Sequence, residues 1–332
     1  HKAVRERVAL IDQTSFSKFR ISGPGALDLL QYLAVSNIDK PIGKIIYTQF
    51  LNSRGGIEAD LTISRTGEEE FYIVTGSAFG VHDRSWIEKH SPRDGSVVID
   101  NLTEEFGVIN LCGPHARDVL QNVTDDDISN ETLPFSSYAD IRVAGHPVRA
   151  MRIGYVGELG WEMHMGRENM PAVYRALIEA GSQYDIADVG YRAIDSLRME
   201  KGYLYWSSDI SPDYNPFEAG LGFRVNMKKG DFIGRDALIS IKENGGPERK
   251  IAYFTLEKYM PVYGSEPIMR EGRILDVTTS ANFGYTIGKP LVFGYLPVQE
   301  FENRNFSIEA FGEVIPATRH DGPLYDPEMK KL

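Results

Sequence analysis

Apolar and polar positions along this chain alternate in two rhythms, one of period two and one near 3.6, and the texture changes after about residue 243. The runs "KIIYTQFLN" and "ADLTISR" flank the turn "SRGGIE", and "EEFYIVTG" follows. Such β-rich runs, joined by a Gly-Gly turn, predict antiparallel hairpins. "WIEKH" and "PAVYRALIEAGSQY" predict helices, the second with Val173, Leu177 and Ala180 at helical spacing. A further helix is predicted over "ADVGYRAIDSLRMEKGY", with Ile194, Leu197 and Lys201 on one stripe and Gly202 as its stop. Beyond the polar linker "KENGGPER", the runs "KIAYFTLE", "RILDVTTS", "LVFGYLP" and "FSIEAFGEVIPATR" are short and broken by Gly and Pro. They predict a small C-terminal β-barrel or sandwich.

One pattern occurs twice. "SGPGALDLLQYL" and "CGPHARDVLQNV" share G-P-x-A-x-D-x-L-Q at an offset of 90 residues, matching Gly23 with Gly113, Asp28 with Asp118 and Gln31 with Gln121. Each copy follows a short apolar run and places Pro where a first helical turn tolerates a missing N–H, so each reads as strand, turn, helix. Two related α+β units packed side by side are expected. A dinucleotide-binding reading of "GPGALD" is disfavoured, because Asp28 stands where the third glycine belongs and no parallel βαβ pattern continues.

Composition narrows the function classes. At 332 residues, 42% hydrophobic and 25% charged, the chain has the make-up of a soluble globular protein of two or three domains. A formal net charge of −11 lacks the basic face that polyphosphate binding needs, so nucleic acid is not an expected partner. No apolar run approaches the ~18–20 residues of a membrane helix, so no membrane association is expected. The lone Cys112 excludes an intrachain disulfide and reads as a buried structural thiol, suited to a reducing compartment. The seven histidines are scattered with no i, i+4 pair, and no metal site is predicted. The chain opens on His1 rather than Met, which reads as a removed start or an excerpt of something longer.

Three polar positions interrupt or follow apolar patterns. Asp60 follows the "RGGIEA" turn and heads the strand "LTIS". Glu162 in "GYVGELGWEM" alternates out of phase with Trp161, Met163 and Met165, so in a strand it shares the opposite face with His164. Arg198 lies one turn after Asp195, the spacing of a helical surface ion pair. Singly, each has an ordinary explanation as a solvated charge.

Together they carry a resemblance. "LNSRGGIEADLTISR", "GYVGELGWEMHM" and "GYRAIDSLRMEKGYLYWSSDISPDYNPFEAGLGFRVNMKKGDFIGRDAL" resemble, in order, the folate-binding family of the glycine-cleavage aminomethyltransferase (T-protein). The likeness is closest to the C-terminal folate domains of dimethylglycine and sarcosine dehydrogenase-type flavoproteins. It implies an α+β fold: a three-domain cloverleaf of two related ferredoxin-like units plus an antiparallel β-barrel around a central channel. The implied domains are residues 1–40 with 135–243, residues 41–134, and residues 244–332.

The resemblance implies tetrahydrofolate as cofactor, Asp60 as the catalytic acid, and Glu162 as the carboxylate that grips the pterin. A reduced pterin presents an exocyclic amine and a ring N–H side by side, two donors that one glutamate can accept together. Tyr47, Tyr155, Arg198 and Tyr205 are implied to line the channel, with Arg198 near the p-aminobenzoyl-glutamate end. Two departures, "IVTGSAFGVHD" where T-proteins carry an Asn-bearing stretch and "GELGWE" where they carry "GEDGVE", move the chain toward the amine-dehydrogenase branch. The implied partner is then a flavin oxidoreductase domain, linked or separate, that holds FAD and oxidises an N-methyl amine. The implied function is capture of the iminium or formaldehyde unit as 5,10-methylenetetrahydrofolate. A stand-alone tetrahydrofolate-dependent aminomethyltransferase or demethylase, and a non-catalytic regulatory folate-binding module, stay open. The expected location is cytoplasmic, or the mitochondrial matrix in a eukaryote.

Overall fold

A computed structural model describes residues 1–332. In chain order, α1 (Lys2–Glu6), β1 (Ala9–Asp12), β2 (Ser17–Ser22), α2 (Ala26–Leu33), β3 (Ile45–Leu51), β4 (Ile57–Gly67), β5 (Glu70–Thr75), α3 (Gly80–His90) and β6 (Val98–Asn101) come first. Then follow β7 (Phe106–Cys112), α4 (Ala116–Gln121), β8 (Ser137–Val143), β9 (His146–Arg152), β10 (Gly160–Gly166), α5 (Met170–Gly181), β11 (Ala187–Asp188), α6 (Tyr191–Glu200) and α7 (Arg235–Glu243). The last third holds β12 (Arg249–Leu256), β13 (Pro267–Arg270), β14 (Arg273–Gly284), β15 (Lys289–Pro297), β16 (Asn305–Ala310) and β17 (Glu313–His320).

These strands form a five-stranded sheet ordered β3-β4-β5-β2-β6, a six-stranded sheet ordered β11-β1-β7-β10-β9-β8, and a closed barrel of β12 to β17. The fold is therefore α+β, with two sheet-based units and a C-terminal β-barrel, as the repeat and the change of texture predict. In each sheet one face packs on helices. Leu29, Leu30 and Leu33 of α2 and Ile87 of α3 cover Ala59, Leu61 and Ile63 of β4. Val119 and Leu120 of α4 and Val173 and Leu177 of α5 cover Ile109, Leu111, Trp161 and Met163.

The sheets divide the chain elsewhere than the expected boundaries. Residues 17–101 supply every strand of the five-stranded sheet, whereas 9–12, 106–166 and 187–188 supply the other. The split into 1–40 with 135–243 and 41–134 is corrected accordingly, and the repeat explains why. Each copy opens the main stretch of its own unit, β2-turn-α2 in one and β7-turn-α4 in the other, so the unit boundary falls before β7 rather than between α2 and β3. Residues after α6 join neither sheet. Leu204, Ile210, Leu221 and Phe232 pack instead with Leu51 and Ile57 on one side and Ile251, Phe293 and Tyr295 of the barrel on the other.

A second correction concerns "ADVG", predicted as the start of a helix. Ala187 and Asp188 form β11, parallel to Ala9 and Leu10, and α6 begins only at Tyr191 after the extended Gly190. The free edge of β1 takes these residues as a strand before helical propensity can act. Gly202, with φ of 72°, ends the helix as expected.

The two sheets meet across their other faces. Ile45, Tyr72 and Val74 from one contact Met151 from the other, and Ile45 N donates to Ser136 O while Tyr138 N donates to Gly43 O. No helix is long and apolar enough to cross a membrane.

Candidate functional site

Cross-strand register decides which side chains look between the sheets. In antiparallel pairs, directly opposed residues share a face. Gln49 opposes Asp60, Tyr47 opposes Thr62 and Ile45 opposes Ser64, so this face of the five-stranded sheet carries a polar stripe beside Ile45. On the six-stranded sheet Asn110 opposes Glu162, which opposes Met151, while Val108 opposes His164. Trp161, Met163 and Met165 lie in the core on the other side of β10. The period-two reading of β10 therefore holds, and the face opposite its core is not solvent: Glu162 is 7% exposed and His164 1%.

Asp60 is held from its own sheet. Gln49 Nε2 donates to its Oδ1 at 2.7 Å. Burial raises its carboxyl to about 6, although hydrogen bonds from Gln49 and Tyr47 pull the other way, and the nearby Asp83 adds to the rise. Asp83 is itself 1% exposed, takes hydrogen bonds from Thr75 Oγ1 and His82 Nδ1, and is raised by burial. A carboxyl poised near 6 suits proton uptake at neutral pH.

Tyr47, Tyr155, Arg198 and Tyr205 gather on the Asp60 side. The Tyr47 hydroxyl is pushed well up by burial and by the Asp60 charge, and Tyr155, likewise pushed up by burial, adds to it. Tyr155 donates its hydroxyl to Leu204 O and stacks on Tyr203 at 5.8 Å and 15°. The Tyr205 ring lies 5.8 Å from the Arg198 guanidinium.

Arg198 departs from both readings made of it. It is 3% exposed, so the Asp195 contact is not a surface pair. Nor is its guanidinium open to a ligand. Nε and Nη2 lie 2.8 Å from Asp195 Oδ1, Nη1 donates to Asp209 Oδ2 at 2.7 Å and to Tyr203 O, and Nη2 donates to Ser280 Oγ of the barrel. Burial works against its charge, but the Asp209 and Asp195 carboxylates raise the pKa further still. The cation with hydrogen bonds to spare is Arg224, which sequence reasoning missed. Its guanidinium stands 5.2 Å from the Tyr47 ring with a buried, unpartnered Nε. Burial lowers its pKa, while Tyr47 and Asp60 hold the charge in place.

Glu162 stands on the facing sheet, apart from that group. Burial alone raises its carboxyl to about 8. His164 Nε2 lies 3.9 Å away, yet this is no ion pair, since burial pushes His164 down to about 3 and keeps it neutral. Tyr72, whose pKa burial raises, keeps its proton, and its hydroxyl shares a hydrogen bond with His164 Nδ1 at 2.9 Å, while His164 Nε2, on the side of Glu162, has no partner. A cleft of about 1030 Å³ opens between the sheets along Arg20, Tyr72, Arg149 and His164. It includes neither Asp60 nor Glu162, and its wall of Tyr72 and His164 backs onto the latter.

Buried polar atoms without partners cluster here: Gln49 Oε1 and Ser64 Oγ on one face, Asn110 Nδ2 and Oδ1, Gln13 Nε2 and Oε1 and His164 Nε2 on the other. Interiors tolerate few such atoms, and a concentration of them marks a place for a polar guest. Carboxylate, amides and imidazole beside buried tyrosine rings fit a flat ring system rich in N–H groups, as a reduced pterin is. No three His, Cys, Asp or Glu side chains assemble as a metal-holding group. Cys112 is buried with its thiol pushed up to about 12 by burial, an inert packing residue.

The chain is similar to known proteins along nearly its whole length. The family model described as the GCVT N-terminal domain matches residues 1–229, and that of the glycine cleavage T-protein C-terminal barrel domain matches residues 249–326. Mitochondrial dimethylglycine dehydrogenase of Mus musculus is 38% identical over 98% of this chain and 38% of its own length. Mitochondrial sarcosine dehydrogenase of the same species is 36% identical over 99% of this chain and 38% of its own length. An aminomethyltransferase of Symbiobacterium thermophilum is 33% identical over 90% of this chain and 80% of its own. The crystal structure of glycine cleavage system aminomethyltransferase T from Bartonella henselae superposes with a TM-score of 0.87 at 26% identity, covering 98% of this chain and 88% of that one. The chain thus spans under two fifths of the length of those dehydrogenases and most of the two aminomethyltransferases.

Proposed function

Because this chain belongs to the glycine cleavage T-protein family, we propose that it binds tetrahydrofolate between its two sheets and transfers a one-carbon unit, released by N-methyl amine oxidation, to give 5,10-methylenetetrahydrofolate. The observation that carries this reading is the pair of buried carboxyls on facing sheets, Asp60 near 6 and Glu162 near 8, each amid polar atoms lacking partners.

Tetrahydrofolate supplies the nucleophilic amine that takes up the carbon. The chain's own residues do the rest. Glu162 in its carboxylate form offers two acceptor oxygens to the adjacent donors of the pterin edge, its proton passing to solvent as the ligand binds. Asp60, fixed by Gln49 and Tyr47, balances the positive charge that develops on nitrogen and takes up the departing proton on its carboxylate. Tyr47, Tyr155 and Tyr205 supply flat apolar surface. Arg224 faces the acidic tail of the folate, and Arg198 positions Tyr205 and the α6–barrel contact. The carbon donor is an iminium or formaldehyde made by a flavin-dependent oxidation of an N-methyl amine; the names sarcosine dehydrogenase and dimethylglycine dehydrogenase support the oxidation and the amine class.

Calorimetric titration with tetrahydrofolate tests the reading. Wild type is expected to bind and Glu162→Ala to lose most affinity; a wild type that does not bind overturns the proposal. Asp60→Asn is expected to keep binding but to lose transfer by ~10²–10³. Full transfer by that variant would remove Asp60 from catalysis.

A further inference from the structure

Asn110 is fully buried, stands directly across from Glu162 in the β7–β10 register, and has no partner for either Nδ2 or Oδ1. Its neighbours along β7, Val108, Ile109, Leu111 and Cys112, are all apolar and buried. A hydrophobic residue would fit that run without stranding two polar atoms, so the amide is costly to the fold as it stands. Sharing a face with Glu162, it looks into the same space. Its Nδ2 lies within 3.9 Å of where a side chain at Gly154 would begin, so the amide reaches from Glu162 toward the loop that carries Tyr155.

We propose that Asn110 reads the ring edge next to the one Glu162 holds, and thereby selects a reduced pterin over an oxidised one. The inference rests on the folate reading above. Past the exocyclic amine, a tetrahydropterin presents ring N1, an acceptor, and then N8–H, a donor. A carboxamide presents a donor beside an acceptor, the complement of that edge. In fully oxidised folate N8 carries no hydrogen and is an acceptor. The Asn110 Oδ1 then faces a second acceptor, and an attraction becomes a repulsion in a site sealed from water. Glu162 cannot make this distinction, since the exocyclic amine and the neighbouring N3–H are present in both oxidation states.

The test uses the whole chain with 5-formyltetrahydrofolate and folic acid as calorimetric ligands, plus thermal melting without ligand. Wild type is expected to prefer the reduced ligand by about tenfold or more, the worth of one or two buried hydrogen bonds. Asn110→Leu is expected to weaken the reduced ligand by about tenfold, to change folic acid by less than about threefold, and so to erase most of the preference. Its ligand-free melting temperature is expected to equal or exceed that of wild type, because stranded polar atoms have been removed. Asn110→Ala, which only deletes atoms, is expected to show the same loss of preference and serves if the leucine disturbs folding. Wild-type preference retained in both variants, or equal weakening of both ligands, overturns the role of Asn110 while leaving the folate reading intact. A wild type that binds neither ligand overturns both.

Discussion

Burial lifts the Glu162 carboxyl to about 8, so at neutral pH the ligand-free protein holds a proton there. An unfolded chain releases that proton near pH ~4.3. Between the two values the folded state binds one proton more than the unfolded state, and stability falls as pH rises across that window, then levels above it. Asp60, lifted to about 6, adds a slope of the same sign over a lower range. Glu162→Gln removes the first contribution and leaves the second. In urea titrations at pH 5, 7 and 9, the variant is therefore expected to gain on wild type with rising pH, by on the order of a few kcal/mol in all. A constant difference between the two proteins would mean that Glu162 is already ionised in the folded state at neutral pH.

At the scale of elements, the duplicated strand-turn-helix rests on its two turn glycines. Gly23 has φ of 112° and Gly113 of 122°, and an added Cβ would come 2.4 Å from Ser96 O and 2.6 Å from Arg7 O respectively. Both contacts are with backbone, which cannot step aside cheaply. Gly23→Ala and Gly113→Ala are each expected to cost about 1–3 kcal/mol, read as a lowered urea midpoint; unchanged midpoints would show that these turns relax freely. The two copies also share a use for their glutamine. Gln31 bonds to Asn37 and the Ile38 amide and Gln121 to the carbonyls of Thr124 and Asp126, each pinning the segment that leaves its helix. Elements of this kind were legible because their signals are local: a glycine, a period, a turn. The roles proposed for Asp60 and Glu162 start from their motifs, and Asn110 left the same mark as Glu162, a polar residue inside an apolar strand. Gln49 and Arg224 left none, since what singles them out is register and neighbours from distant segments. The domain boundaries failed for a related reason: β1 pairs with β7 and β11, and β2 with β5 and β6, choices that no stretch of sequence states by itself.

The whole molecule is closed by a buried ion group on which both ends of the chain converge. Arg5 donates to Glu158 Oε1 and, from Nε and Nη2, to Glu200 Oε2, and its guanidinium sits 3.9 Å from the Tyr325 ring. Glu158 also accepts from the Tyr325 hydroxyl, and the other Glu200 oxygen accepts from the amides of Thr286 and Ile287 in the barrel. The N-terminal helix, the loop before β10, α6, the barrel and the C-terminal tail thus converge on two carboxylates, both under 5% exposed. Attraction within such a buried group roughly offsets the cost of taking its charges from water, so its net worth to stability is small, whereas removing one member strands the rest. Arg5→Leu is accordingly expected to cost about 3–5 kcal/mol in urea unfolding. Adding Glu158→Gln and Glu200→Gln to that variant takes away the stranded charges and is expected to restore a large part of the loss, even though two more native side chains are gone. If the triple variant is instead less stable than Arg5→Leu alone, the carboxylates stabilise the junction through their hydrogen bonds to the barrel and Tyr325, and their charge is incidental.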